Sequence, residues 1–311
     1  MIPRHRQVVM AAAALLGCAK SPGPSVPAVD IPWTPFYWVS ARTDSLEFDF
    51  TGILLHLQLR QSGPRSLLQM DLAGSGNMPN GFPRFARELG PPPRVRPGEL
   101  YGLLGPAIPR RLVGAPDSLR DHWREGEVGT WGLPNYLSNT LLLDFPNRRL
   151  ATLPQSVDWA PLLGPSAVIA PLEKGQLDQV VIPVGMSTGR VLRGILDSGL
   201  SPFPLWTTRE VWQDLTGLGG AGPGTRIYRI PNRGGAMVFV GAPLRVPLGI
   251  GAWSLRIPEV VYLAQGPAGA ALEEWRPQVD LVLGPAAFAR NTVLAIDLAH
   301  SRLGLARRIV P

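Results

Sequence analysis

The 311-residue chain, 45% hydrophobic and 17% charged, has the composition of a folded globular protein and not of a charged disordered polymer. Its formal charge of +7 rests almost wholly on arginine, since Lys20 and Lys174 are the only lysines, and the arginines are scattered among acids, which argues against a nucleic-acid-binding stripe. With 35 Gly and 34 Pro the chain favours short strands and turns over long helices, and its length accommodates one large domain or two of about 100–150 residues each.

The opening residues, MIPRHRQVVMAAAALLGC, combine a basic start, an apolar run from Val8 to Leu16 and a small residue before Cys18, the only cysteine. That run is too short to span a bilayer. Leu15-Leu16-Gly17-Cys18 resembles the lipobox of bacterial lipoproteins, with a plain secretory signal as the alternative. The lipobox resemblance implies a signal peptide over 1–17, membrane attachment through lipid on Cys18 and, with Ala19 following, an outer-membrane site facing the periplasm. Residues 18–35 are rich in Pro and Ser and read as a flexible tether. A single cysteine provides no disulfide framework, so the core alone must hold the fold.

FTGILLHLQLRQSGPRSLLQMDLAGSGN (50–77) reads as a strand, a polar turn at Gly63 and a second strand ending on Asp71 and small residues. A short helix is expected over Phe82–Leu89. VGTWGLPNYLSNTLLLDFPNRRLATL (128–153) places Gly132 after a strand, then Tyr136, a strand closing on Asp144, a turn, and Arg149-Leu150. The Pro-rich stretch 154–176 reads as a joint. LDQVVIPVGMSTGRVLRGILDSGLS (177–201) is again strand, turn and strand, ending on Asp197. Thr207 and Glu210 then fit a capping box, with Val211 and Leu215 on one helical face. RIYRIPNRGGAMVFV from Arg226 suits a Gly-tipped hairpin. VDLVLGPAAFARNTVLAIDLAHSRLGLA (279–306) closes the chain with Gly284, Phe288, a strand to Asp297, a turn, and Arg302-Leu303.

These segments repeat. Gly132 matches Gly284, Tyr136 matches Phe288, Asn139-Thr140 matches Asn291-Thr292, Asp144 matches Asp297, and Arg149-Leu150 matches Arg302-Leu303. Asp71 follows Gly63 by eight residues, and Asp197 follows Gly189 by eight. The chain is thus expected to be all-β with a few short helices, in two related lobes over 36–160 and 161–311.

Two lobes, each carrying an apolar strand that ends in an Asp turn and later a Gly-x-x-x-aromatic followed by a strand closing on Asp, resemble the aspartic peptidases of the pepsin and retropepsin kind. Ile195-Leu196-Asp197-Ser198-Gly199 carries the resemblance best; Leu200 departs from the usual small residue, while Ser201 keeps a hydroxyl. In the first lobe Leu72 and Ala73 depart from the hydroxyl residue and Gly of the pattern. Two registers are open there: one places the acid at Asp71 without a gap, and the other aligns Gly74-Ser75 and leaves Leu72 at the acid's position.

The resemblance implies a bilobal pepsin-like fold of two retropepsin-like repeats, and an aspartic endopeptidase that holds a peptide or protein substrate across Asp71 and Asp197 without metal or other cofactor. Ser198, Gly199, Ser201, Gly74 and Ser75 would support the loops, and the protein would act as a monomer. Peptide hydrolysis of this kind needs one group to accept a proton from water and another to give one to the carbonyl oxygen. Two carboxylates about 3 Å apart cannot both ionise and therefore share a proton. The competing expectation is a two-lobed protein without catalysis that binds peptides or envelope components.

Other motifs point nowhere specific. GLGGAG (217–222) has dinucleotide-loop spacing, but a helix runs into it and a strand leaves it, the reverse of what that site needs. His5, His56, His122 and His300 have no metal-ligand spacing with one another or with Cys18. Ser75 and Ser201 lack a nucleophile elbow. Asp144 and Asp297 read as structural turn acids.

Overall fold

The computed structural model describes residues 30–42, 47–58, 65–73, 127–132, 137–175, 179–199, 202–230, 236–266 and 278–309. The expected helix over Phe82–Leu89 and the signal and tether segments lie outside these residues. The fold is all-β, with one α-helix among the described residues. The strands are β1 (Thr34–Arg42), β2 (Glu47–Gln58), β3 (Arg65–Asp71), β4 (Glu127–Gly132), β5 (Asn139–Asp144), β6 (Arg149–Pro154), β7 (Val168–Pro171), β8 (Glu173–Lys174), β9 (Val180–Met186) and β10 (Val191–Leu196). They continue with β11 (Leu205–Thr207), β12 (Arg226–Ile230), β13 (Met237–Pro243), β14 (Leu248–Ile250), β15 (Trp253–Ser254), β16 (Glu259–Gln265), β17 (Leu281–Leu283), β18 (Val293–Asp297) and β19 (Arg302–Ala306).

Two sheets result. The first runs β4-β3-β2-β1-β6-β5-β18-β19-β7, and the second runs β12-β13-β16-β11-β17-β10-β9-β14-β15 with β8 beside β9. The centre of the first sheet is symmetric. Strands β5 and β18 pair antiparallel, Leu143 opposite Leu294 and Leu141 opposite Ile296. Outward from them, Arg149 of β6 faces Pro35 of β1, and Arg302 of β19 faces Pro171 of β7. The repeated segments therefore occupy equivalent places on either side of one central pairing.

The repeated acids explain why the hairpins form. Asp144 accepts from the Asn147 backbone N–H and from Arg149 Nε at 2.7 Å, and Asp297 accepts from the His300 backbone N–H and from Arg302 Nη2 at 3.0 Å. Both carboxylates are buried, so each needs this full set of donors. Each arginine then covers an indole: Arg149 lies 4.2 Å from the Trp33 ring centroid, and Arg302 lies 5.0 Å from that of Trp159. Burial alone would push Asp297 up. Donors from Trp159, Arg302 and His300 outweigh it and hold the carboxyl below its ordinary range.

Two features differ from the sequence expectations. The 154–176 stretch is not a plain joint, because a 3-10 turn over Ala160–Leu163 buries Trp159 and Leu163 against β19, and β7 pairs along β19. Helix α1 (Arg209–Thr216) is capped by Thr208, whose Oγ1 accepts from Val211 N, and not by Thr207. Thr207 is committed to β11, where it pairs with Leu281 on one side and Tyr262 on the other. Val211 and Leu215 are buried as expected, joined by Trp212. Among the described residues, no helix is long and apolar enough to cross a membrane.

Most of the core is continuous across both halves, with Phe36, Leu55 and Leu143 in one cluster with Val184, Trp212 and Leu294. Packing around the second indole is tight. A Cβ on Gly304 would run into the ring of Trp159 and Cδ1 of Leu163. Gly304→Ala is accordingly expected to lower the unfolding free energy by about 1–3 kcal/mol in urea denaturation; an unchanged midpoint would show that this packing is looser than described.

Candidate functional site

Asp71 and Asp197 occupy equivalent strand ends. Asp71 ends β3, which runs parallel to β4 with Asp71 opposite Gly132. Asp197 directly follows β10, which runs parallel to β17 with Leu196 opposite Leu283, and Asp197 N donates to Leu283 O at 3.0 Å. An acid at the open end of two parallel strands is forced out of the ladder and into a turn. Both turns close identically: Ala73 N donates to Asp71 Oδ1 at 2.9 Å, and Gly199 N donates to Asp197 Oδ1 at 2.8 Å. In the first half the acid in this arrangement is Asp71, while Leu72 points into the core and is 2% exposed.

The two turns meet. Ser198, buried, spans them through its hydroxyl, donating to Met70 O at 3.1 Å and accepting from Leu72 N at 3.0 Å. One side chain of the second half thus fixes the backbone on both sides of Asp71. Leu72 has no hydroxyl with which to return the contact, so the clasp is one-sided. Gly199 is required by closeness: a Cβ there would lie 2.9 Å from Asp197 Oδ1, 3.0 Å from Gln69 Nε2 and 3.5 Å from Asp71 Cγ. Gly52 of β2 presses the same loop from the first half, and a Cβ on it would collide with the Gly199 carbonyl oxygen.

Electrostatics follow from this crowding. The Asp197 carboxyl is pushed up to about 7, first by burial and then by the nearby charge of Asp71, with the Gly199 N–H pulling the other way. The site therefore disfavours two full charges side by side. Beneath it, Leu72, Phe145, Leu196, Phe288 and Leu294 enclose a void of only about 10 Å³ that reaches Asp197 and Ser198. Phe145 and Phe288 stack with centroids 6.2 Å apart, one ring from each half. This apolar floor removes water from one side of the Asp197 carboxyl and sustains its raised proton affinity.

Gln69 is a site residue that the sequence reading passed over. It is buried, two residues before Asp71 on the same face of β3, and its amide nitrogen reaches the point over Gly199 where both acids converge. Its repeat counterpart is Ile195, so a polar residue against an apolar one two places before each acid was the available signal. Gly74, Ser75, Ser201 and Cys18 lie outside the described residues. The 217–222 stretch leaves α1 and leads towards β12, without a following helix. Among the described residues, no group of three or more His, Cys, Asp or Glu side chains is placed to hold a metal ion.

No family model matches the chain, and no curated protein matches it. Solved structures to which it is similar include basic 7S globulin from soybean, at 13% identity over 89% of this chain and 96% of that one with a TM-score of 0.43. Conglutin gamma, a basic 7S globulin from lupine seeds, is 11% identical over 90% of this chain and 96% of that one with a TM-score of 0.41. These findings correct the assignment to the pepsin and retropepsin peptidases: no family model matches the chain, and these two similar structures are basic 7S globulins. The motif that suggested the assignment is short, and its first copy lacks both the hydroxyl residue and the Gly.

The raised proton affinity of Asp197 has a sign that can be measured. A carboxyl whose folded pKa exceeds the ordinary 3.8 stabilises the fold below that value and loses the contribution as pH rises towards about 7. The unfolding free energy of the native protein minus that of Asp197→Asn is expected to fall between pH 4 and pH 8. A difference that stays flat across this window would mean that Asp197 is ionised throughout.

Proposed function

We propose that the chain is a hydrolase that cleaves peptide bonds with a water activated between Asp71 and Asp197, the two halves forming lobes that share this seam. The observation that carries the reading is the convergence of both acid turns over Gly199, with Asp197 pushed up to about 7. A pair in this state holds one proton at mildly acidic to neutral pH, and that proton is what the reaction needs.

In the proposed sequence Asp71, the ionised partner, accepts a proton from water as the water oxygen bonds to the carbonyl carbon. Asp197 gives its proton to the carbonyl oxygen, yielding a neutral diol. Collapse of the diol returns a proton to Asp197, breaks the carbon–nitrogen bond and passes the proton from Asp71 to the leaving amine. Ser198 positions Asp71 through Met70 O and Leu72 N without touching substrate. Within the same proposal, Leu15-Leu16-Gly17-Cys18 directs lipid attachment at Cys18, holding the body at the periplasmic face of an outer membrane.

Digestion of a peptide library is expected to show cleavage whose rate declines as pH rises through about 7, where Asp197 loses its proton. Asp71→Asn and Asp197→Asn are each expected to lower kcat/KM by about 10²–10⁴. Cleavage that survives both substitutions together would sink the proposal. Ser198→Ala is expected to lower kcat more than it raises KM, since it loosens Asp71 without removing a substrate contact.

A further inference from the structure

A second concavity lies beside the acid seam and not within it. It has a volume of about 860 Å³, within the range of ligand sites, and neither Asp71 nor Asp197 lines it. The first half contributes the opening residues of β2, and the second contributes Pro202 and Pro204, just past the Asp197 turn, together with segments around Leu255 and Ala287. The two walls differ in charge. All three cations, Arg245, Arg256 and Arg290, come from the second half; both anions, Glu47 and Asp49, come from the first.

None of these arginines makes an ion pair or side-chain hydrogen bond with a described residue, and all three are exposed. This contrasts with Arg149 and Arg302, each of which bonds a buried carboxylate. The charged walls face one concavity without neutralising each other across it. The backbone is also strained here: Phe50 lines the groove with φ of 59°, a left-handed conformation that a bulky side chain rarely adopts. Its ring packs edge-on to Trp38 with centroids 5.1 Å apart. Phe48, between the two acids, and Phe50, just after them, give the first-half wall an apolar surface.

We infer that this groove binds an extended peptide segment with carboxylates along one edge and apolar side chains along the other. A strand presents alternate residues to opposite sides, so acidic residues at every second position would meet the arginine wall while the intervening ones pack on Phe48 and Phe50. Glu47 and Asp49 repel carboxylates from the other edge and so set the strand's orientation. The inference takes its ligand class from the hydrolase reading, for which the groove would be a remote substrate-holding surface. Binding itself does not require the acids to be active.

The test uses the full chain carrying Asp71→Asn and Asp197→Asn, so that nothing is cut. A fluorescent hexapeptide of alternating Glu and Val is expected to bind saturably by anisotropy and to weaken as salt rises to physiological ionic strength. R245A/R256A/R290A in the same background is expected to weaken binding about tenfold or more, as for the loss of several exposed charge contacts. A hexapeptide of alternating Lys and Val is expected not to saturate. Equal affinity in the triple variant, or equal binding of the Lys peptide, overturns the inference; Arg290→Glu alone provides the same comparison if the triple variant does not fold. Binding without cleavage in the native protein would remove the hydrolase reading and leave the groove, whereas cleavage without binding would do the reverse.

Discussion

The molecule depends on one antiparallel contact, that between β5 and β18. Leu141 and Leu143 face Ile296 and Leu294 there, and every outer strand of the first sheet is placed relative to this pair. The strands are almost wholly buried, so their register is fixed by apolar packing on both faces; a slip of one residue would expose that surface. Because the contact joins the two halves by backbone hydrogen bonds, it also fixes how the distant ends of β3 and β10 approach each other. The meeting of Asp71 and Asp197 is a consequence of this central register.

The halves are alike in their scaffold and unlike in their chemistry. Hairpin acid, arginine and indole recur, each arginine bonding its buried carboxylate and covering an indole. At the acid turns the likeness stops. The second turn carries Ser198 and Gly199, whereas the first carries Leu72 and Ala73, and Gln69 stands where Ile195 would be matched. Even so, each turn is closed by the same backbone N–H two residues on. The conserved part of the geometry is therefore backbone, and the divergent part lies in which side chain crosses the seam.

Features set by neighbours in the chain were legible in the sequence. Asp144 with Arg149, and Asp297 with Arg302, could be read because each hairpin supplies its own acid with an arginine five residues on. Helix α1 was visible from Val211 and Leu215, but its cap was not, because Thr207 is claimed by strands far along the chain. Strand β7 could not be seen: four residues ending in Pro become a strand only when β19 lies beside them. The paired acids were visible as a repeated spacing, and the Asp-Ser-Gly turn then suggested a family that the comparisons do not support. The arginine-lined groove had no sequence signal, since its walls come from widely separated segments that only the fold assembles.

The single hydroxyl of Ser198 has a final implication for how the protein matures. Met70 O and Leu72 N have a shared partner only after the C-terminal part of the chain has arrived. The earlier-made half therefore leaves synthesis with its acidic turn unfinished, and the later-made half acts as a template that completes it. The order of the Asp71 turn therefore depends on the docking of the second half.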